Sequence, residues 1–368
     1  MAVPVINVTL PTVSQPTIKP SDHRLPTVSA SQALLESQGQ LTEASGLVTL
    51  DSLLMGEDPL NARSGIVGGF QHGKVNEIWG PISSGKTSLL LNTAVQTLLR
   101  GSTVTWLAAD TPLHGRRLRS FVEQIFNSSG QIEFGTNNGE ECLSRFKYMQ
   151  IPSLSHLLAL VLHPPPEFLK DGTSLLVIEG INTVIDLDYP RFAFLSSNGT
   201  EQQKWLAGRR YAVLGSLVTG LNKLAILNDL AIVVSTGCIS RTRPDSGLGS
   251  SLAPGVGGTE WDSGIWNRLV LFRDFNFRCV GLQKCQGRSF ISREQIGEVG
   301  RLIYFEIEDG GMIRERPIKR IPTTKLDISR PSNSPLKPRK RTYDEIADSE
   351  DEDDEYGWDD DDEYALAL

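Results

Sequence analysis

GPISSGKT, residues Gly80 to Thr87, stands between an alternating run from Val75 to Trp79 and a helix-like run from Ser88 to Leu99. A glycine, four residues and then Gly-Lys-Thr, with a strand before and a helix after, is the pattern of a phosphate-binding P-loop. Gly80 and Gly85 let the backbone turn tightly, so that the N–H groups of the arch made by Pro81, Ile82, Ser83 and Ser84 face inward. The following helix offers its positive end to the same phosphate oxygens. Lys86 is then placed to meet the β- and γ-phosphates, and Thr87 to put its hydroxyl on Mg²⁺. The plain alternative, a Gly/Ser-rich turn without a ligand, leaves the flanking strand and helix unexplained.

Outward from this loop the chain alternates between strand-like and helix-like segments. Before it come a short helix signal (Leu50 to Leu54) and a glycine-rich turn (Gly65 to Gly69). After it, Gly101 ends the helical run, Val104 to Ala109 reads as a strand, and Arg116 to Phe126 has helical spacing with Arg116, Arg117 and Arg119 near its start. Asn127 to Glu141 reads as a loop, Phe146 to Ile151 as a strand, Leu154 to Leu162 as a helix and His163 to Gly172 as a proline-rich connection. Thr173 to Gly180 (TSLLVIEG) and Ala231 to Thr236 (AIVVST) are short apolar runs of the kind that form strands buried on both faces. Between them a long helix is expected from about Glu201 to Asn228, with Leu214, Leu217, Leu221 and Leu224 along one side. Arg268 to Phe272 and Arg301 to Ile307 are further strands. This alternation predicts an α/β fold with a mostly parallel central sheet flanked by helices.

Two strand ends carry acids. Glu179 ends TSLLVIE where a P-loop protein usually has the Walker-B aspartate that holds Mg²⁺; the plain reading is a solvent-facing acid. Asp110 ends the first strand after the P-loop helix, where it is either the base that activates an attacking water or an N-cap of the next helix. Ser240 to Gly258 reads as a long Gly/Ser/Pro loop opening with Arg241 and Arg243. It is either a solvated loop or a mobile cradle for single-stranded DNA, whose phosphates need cations. Thr236 is either a sensor of the γ-phosphate or a hydroxyl satisfied at its strand end.

Charge divides the chain. Of its 44 acids, fourteen fall from Thr342 onward, where there is no Lys or Arg, so residues 1–341 set 36 bases against the remaining 30 acids, about +6. Such a balance permits contact with nucleic acid. Residues 1–40 read as a flexible arm, 41–320 as one core, and 321–368 as a disordered tail. The tail carries a basic cluster, Lys337 to Arg341, of the kind that directs nuclear import, then an acidic tract around Ser349. No run approaches a membrane span, and the start lacks a signal peptide, so a soluble intracellular protein without membrane partners is expected. Cys142, Cys238, Cys279 and Cys285 are scattered, which points to reduced thiols and no zinc site.

The order SGLVTLDSLL, glycine turn, GKVNEIWGPISSGKTSLLLNTA, VTWLAAD, LLVIEG, the long helix ending LNKLAILND, AIVVST, glycine loop and WNRLVLF resembles the ATPase core of RecA-family recombinases, over about Ser45 to Ile307. It is most similar to the eukaryotic recombinase paralogues, accessory proteins of recombination and repair. The resemblance implies a RecA-like P-loop NTPase core that binds ATP and Mg²⁺ through Gly80, Gly85, Lys86 and Thr87, with Glu179 at Walker B. It implies two DNA-facing loops, after Glu179 and after Thr236, recombinase or paralogue subunits as partners in a hetero-oligomer, and a place in the nucleus. Three departures stand out: the catalytic Glu of the family is Asp110 here, the Walker-B Asp is Glu179, and there is no room for the folded N-terminal domain of many members. Together they favour an accessory factor with weak or absent turnover over a strand-exchange enzyme. The P-loop alone also admits a DNA-dependent motor, a small-molecule kinase or a non-hydrolysing scaffold.

Overall fold

The computed structural model describes residues 41–56, 68–128, 138–190, 201–242, 250–274, 277–291 and 299–316. The arm at 1–40, the tail from 321 with its basic cluster and acidic tract, and Arg243 lie outside the described residues.

Along the chain run β1 (Thr42–Glu43), α1 (Val48–Leu54), β2 (Phe70–Gln71), β3 (Val75–Trp79) and α2 (Lys86–Leu99). Next come β4 (Thr103–Ala108), α3 (Gly115–Ser128), α4 (Asn138–Ser144), β5 (Phe146–Gln150), α5 (Leu154–Leu162), β6 (Thr173–Glu179), α6 (Ile181–Asp188) and α7 (Glu201–Leu227). The last part holds β7 (Ala231–Thr236), β8 (Cys238–Thr242), β9 (Ser250–Pro254), α8 (Thr259–Gly264), β10 (Asn267–Asp274), β11 (Phe277–Cys285), β12 (Arg288–Ser289), β13 (Arg301–Ile307) and β14 (Ile313–Glu315).

Among the described residues the main sheet has ten strands in the order β14-β13-β11-β10-β3-β7-β6-β4-β5, with β12 on β11. From β5 to β10 every pairing is parallel; from β10 outward every pairing is antiparallel. The P-loop strand β3 lies between β7 and β10, and β7 separates it from β6. The parallel part follows from the helical crossovers, since parallel neighbours cannot be joined by a tight hairpin.

Alternate residues of the central strands enter two separate cores. Leu175 and Val177 of β6 and Ala231 and Val233 of β7 face α1, α2 and α3, whereas Leu176, Ile178, Ile232 and Val234 face α5, α6 and α7. Helices cover both sides, so these strands are apolar throughout rather than alternating. The leucine stripe Leu214, Leu217, Leu221 and Leu224 of α7 is buried as its spacing predicts.

Two expected loops contain structure. Asn127 to Glu141 was expected without regular structure, yet α4 begins at Asn138; residues 129–137 lie outside the described residues. Ser240 to Gly258 is not a featureless loop: β8 and β9 pair in antiparallel register from Cys238↔Pro254 to Thr242↔Ser250. The Gly255 N–H also bonds the Gly237 carbonyl, closing the ribbon at its base at 2.9 Å. Serine hydroxyls and glycines give no alternating apolar signal, but backbone pairing needs none. Among the described residues no helix is long and apolar enough to cross a membrane.

Candidate functional site

The carboxyl ends of β3, β4, β6 and β7 converge on one edge of the sheet, and the P-loop arches over it. Gly80 has φ 153°, and a Cβ there would lie 2.0 Å from the Leu271 carbonyl oxygen of β10, so only glycine lets the loop leave β3 beside its neighbour. Ser83 at the crest has φ 63°. Ile82 stands 94% exposed at the tip. Gly85 precedes α2, and Lys86 and Thr87 open the helix, which sets the first-turn N–H groups toward the arch.

The Lys86 ammonium donates to the carbonyls of Gly80 and Pro81, 2.8 Å to each. Burial pulls its pKa below the ordinary lysine value, while Cys238, Glu179 and Asp110 pull the other way, so the ammonium faces an acidic edge. The Thr87 hydroxyl donates to Oε1 of Glu179. Burial pushes the Glu179 carboxyl up and Asp110 adds to this, against the opposing effects of the Thr87 hydroxyl, Arg117 and Trp106. Glu179 is therefore turned into the site, not out to solvent.

Asp110 is exposed at the end of the β4 segment. It does not cap a helix, because α3 begins five residues later at Gly115. Its position is set by Gly180, which has φ 72° and where a Cβ would come within 2.4 Å of the Asp110 Cβ. The two strand ends touch through that gap, bringing Asp110 within electrostatic reach of both Glu179 and Lys86. Thr236 resolves to the plainer of its two readings: it is fully buried and its hydroxyl donates to Oε1 of Glu77 at 3.2 Å. Arg241 lies on β8 opposite Ser251, away from the P-loop in sequence and on a separate two-stranded ribbon.

A cleft of about 410 Å³ opens beside the loop, lined by Ser83, Lys86, Thr87, Arg117, Arg278 and Ile307 among others. Arg117 donates to the Ser88 hydroxyl at 2.9 Å, and Arg278 donates to the Ser83 carbonyl. Arg117 had a faint signal as one of three arginines at a helix start. Arg278 had none, being a single arginine in a strand that pairs only with later strands and with β10. Glu77 was also hidden: its carboxylate, fully buried in β3, is bound by Arg268 of β10 at 2.7 Å.

These donors suit a nucleotide and its metal. Mg²⁺ takes few protein ligands and completes its shell with phosphates and water. The Thr87 hydroxyl and the Glu179 carboxylate, already hydrogen-bonded to each other, form such a minimal set, and among the described residues no group of three or more His, Cys, Asp or Glu could hold a metal alone. Bound there, the ion would supply charge to phosphate oxygens, and Lys86 and the helix end would orient them.

A P-loop feeding a helix, strand-end acids on one edge and β7 inserted between β3 and β6 give the chain a RecA-like P-loop fold. No family model matches the chain. Over 245 residues it is 25% identical to the DNA repair protein rhp55 of Schizosaccharomyces pombe, covering 55% of this chain and 69% of that protein. Over 92 residues it is 32% identical to the protein RecA of Bartonella bacilliformis, covering 24% of this chain and 26% of that one. The crystal structure of the RadB recombinase superposes with a TM-score of 0.49 at 20% identity, over 75% of this chain and all of the other. The likeness to rhp55 and to RecA supports a RecA-family recombinase paralogue.

Proposed function

We propose that this chain is an ATP-binding accessory factor of homologous recombination and DNA repair. Its working form is a hetero-oligomer with recombinase or recombinase-paralogue subunits, assisting filament assembly on single-stranded DNA in the nucleus. The observation that carries the reading is the cluster of Lys86, Thr87, Glu179 and Asp110 around the P-loop cleft, in a chain similar to a fission-yeast DNA repair protein. ATP and Mg²⁺ fit that cluster through the phosphate-facing Lys86 and helix end and the Thr87–Glu179 pair. Turnover is weak in this reading, because a base must come within hydrogen-bond reach of its water and Asp110 is one methylene shorter than glutamate. ATP therefore serves to fix an interface more than to drive repeated cycles.

Nucleotide binding and partner identity test this reading separately. Lys86→Ala is expected to lower Mg-ATP affinity by about a hundredfold, as expected when a charged hydrogen-bond donor is removed from a phosphate site. An unchanged affinity removes the P-loop assignment. Chain recovered from cells after DNA damage is expected to bring recombinase-family subunits with it. Recovery with unrelated cytoplasmic enzymes instead refutes the repair role.

A further inference from the structure

A phosphate cradle turns its N–H groups inward, so its carbonyls point outward and need donors of their own. In this loop the carbonyls of Gly80 and Pro81 are taken by Lys86, and that of Ser83 by Arg278. The two cations are placed differently. Lys86 belongs to the site and is wanted by the phosphates; Arg278 reaches the loop from β11, in the antiparallel part of the sheet, where it lies in register with Arg273 and Phe305.

The crest where Arg278 acts is the costly part of the arch. Ser83 has φ 63°, left-handed backbone that a residue with a Cβ adopts only under constraint. Its neighbour Ser84 is buried, its hydroxyl without a hydrogen-bond partner, and its N–H reaches the Pro81 carbonyl at a long 3.4 Å. Internal hydrogen bonds thus do little to hold the crest. Phe305 and Ile307 of β13, also in the antiparallel part of the sheet, flank the far foot of the arch, where a Cβ on Gly85 would lie 3.2 Å from each.

We infer that Arg278 is a positioning residue that locks the P-loop in its cradle shape from outside, by holding the carbonyl of the left-handed Ser83. The inference rests on the nucleotide-site reading for its consequence but not for its mechanics. Arg278 lines the same cleft as Lys86 and Thr87, so its hold on the crest sets the shape of one wall. A lysine at 278 retains the charge but not the forked geometry, and restores the hold only in part.

The test uses the full chain as wild type, Arg278→Ala, Arg278→Lys, Ser83→Gly and Arg278→Ala with Ser83→Gly. Amide hydrogen exchange is read over residues 82–86 without nucleotide, and Mg-ATP affinity by titration. Arg278→Ala is expected to speed exchange at the crest, and to weaken Mg-ATP binding, by about tenfold each, at the low end for a hydrogen bond from a charged donor. Arg278→Lys falls between. Glycine takes the left-handed shape freely, so in the Ser83→Gly background the loss on Arg278→Ala shrinks to about threefold or less. The inference is overturned if Arg278→Ala leaves crest exchange unchanged, speeds it evenly across the sheet, or costs the same factor with Ser83→Gly as without. A wild-type chain that binds no Mg-ATP defeats the nucleotide reading, while the exchange measurements, made without nucleotide, still decide on Arg278.

Discussion

Glu77→Gln removes the negative charge beneath the P-loop while keeping the side chain's shape. The Glu77 side chain is 0% exposed and bonds Arg268 Nε at 2.7 Å; Thr236 of β7 donates to its other oxygen at 3.2 Å. One carboxylate thus ties the P-loop strand to both of its neighbours. Burial alone disfavours the charge on Arg268, but Glu77 and then Asp262 outweigh it and hold the guanidinium above its ordinary pKa. Losing one partner of a buried ion pair costs about 3–5 kcal/mol, because the other charge stays behind. Asp262 still binds Arg268 at 2.6 Å, though it is itself 50% exposed, which places the expected loss at the low end, about 3 kcal/mol. For a domain of this size that lowers Tm by about 6–12 °C. Chemical denaturation gives the free energy directly, and the partner substitution checks the cause. With Arg268→Met added, no buried charge is stranded and most of the stability is expected to return. A loss below about 1 kcal/mol for Glu77→Gln, or a double variant less stable than the single one, refutes the reasoning.

Four further outcomes are expected. Gly80→Ala drives a Cβ to 2.0 Å from the Leu271 carbonyl and is expected to cost about 2–3 kcal/mol in denaturation, with loss of Mg-ATP binding. Leu221→Ala empties a fully buried position on α7 and costs about 2–5 kcal/mol by the same assay. Asp51 accepts the N–H of Ser45 at 2.8 Å and of Gly46 at 3.3 Å, yet burial pushes its carboxyl up to about 7 from 3.8. In that window the folded chain keeps a proton that the unfolded chain has released, so stability falls as pH rises, by up to about 1.4 kcal/mol per unit. Asp51→Asn is expected to flatten the Tm-against-pH curve between about pH 4 and 7, and an unchanged slope assigns the effect elsewhere. Asp110→Glu lengthens the base and is expected to raise phosphate release at least about tenfold, with no change counting against Asp110 as a shortened base.

The parts of the fold that depend on local pattern could be read in advance. GPISSGKT needs only its own residue types, and the apolar runs of β6 and β7 and the leucine stripe of α7 advertise burial on two faces or one. What escaped depends on distant partners. Glu77, a carboxylate fully buried in β3, makes sense only beside Arg268, 191 residues away. The Ser83 carbonyl has no meaning in sequence until Arg278, 195 residues on, is folded against it. The β8–β9 ribbon is made by backbone N–H and C=O groups, which say nothing about residue type, so its Ser and Gly content read as an open loop. At the site, Asp110 and Glu179 were visible as strand-end acids, but their mutual approach depends on Gly180 and could not be foreseen.

The ribbon after β7 has a mechanical consequence. Five paired residues at about 3.4 Å each make an arm of roughly 17 Å. Its base is not free: the Gly237 N–H is held by the Asn182 side chain of α6 at 2.7 Å, its carbonyl by Gly255, and Cys238 lies within the field of Lys86. A load on the paired strands is therefore borne at Gly237, one residue from Cys238, whose thiol lies within the field of the P-loop lysine.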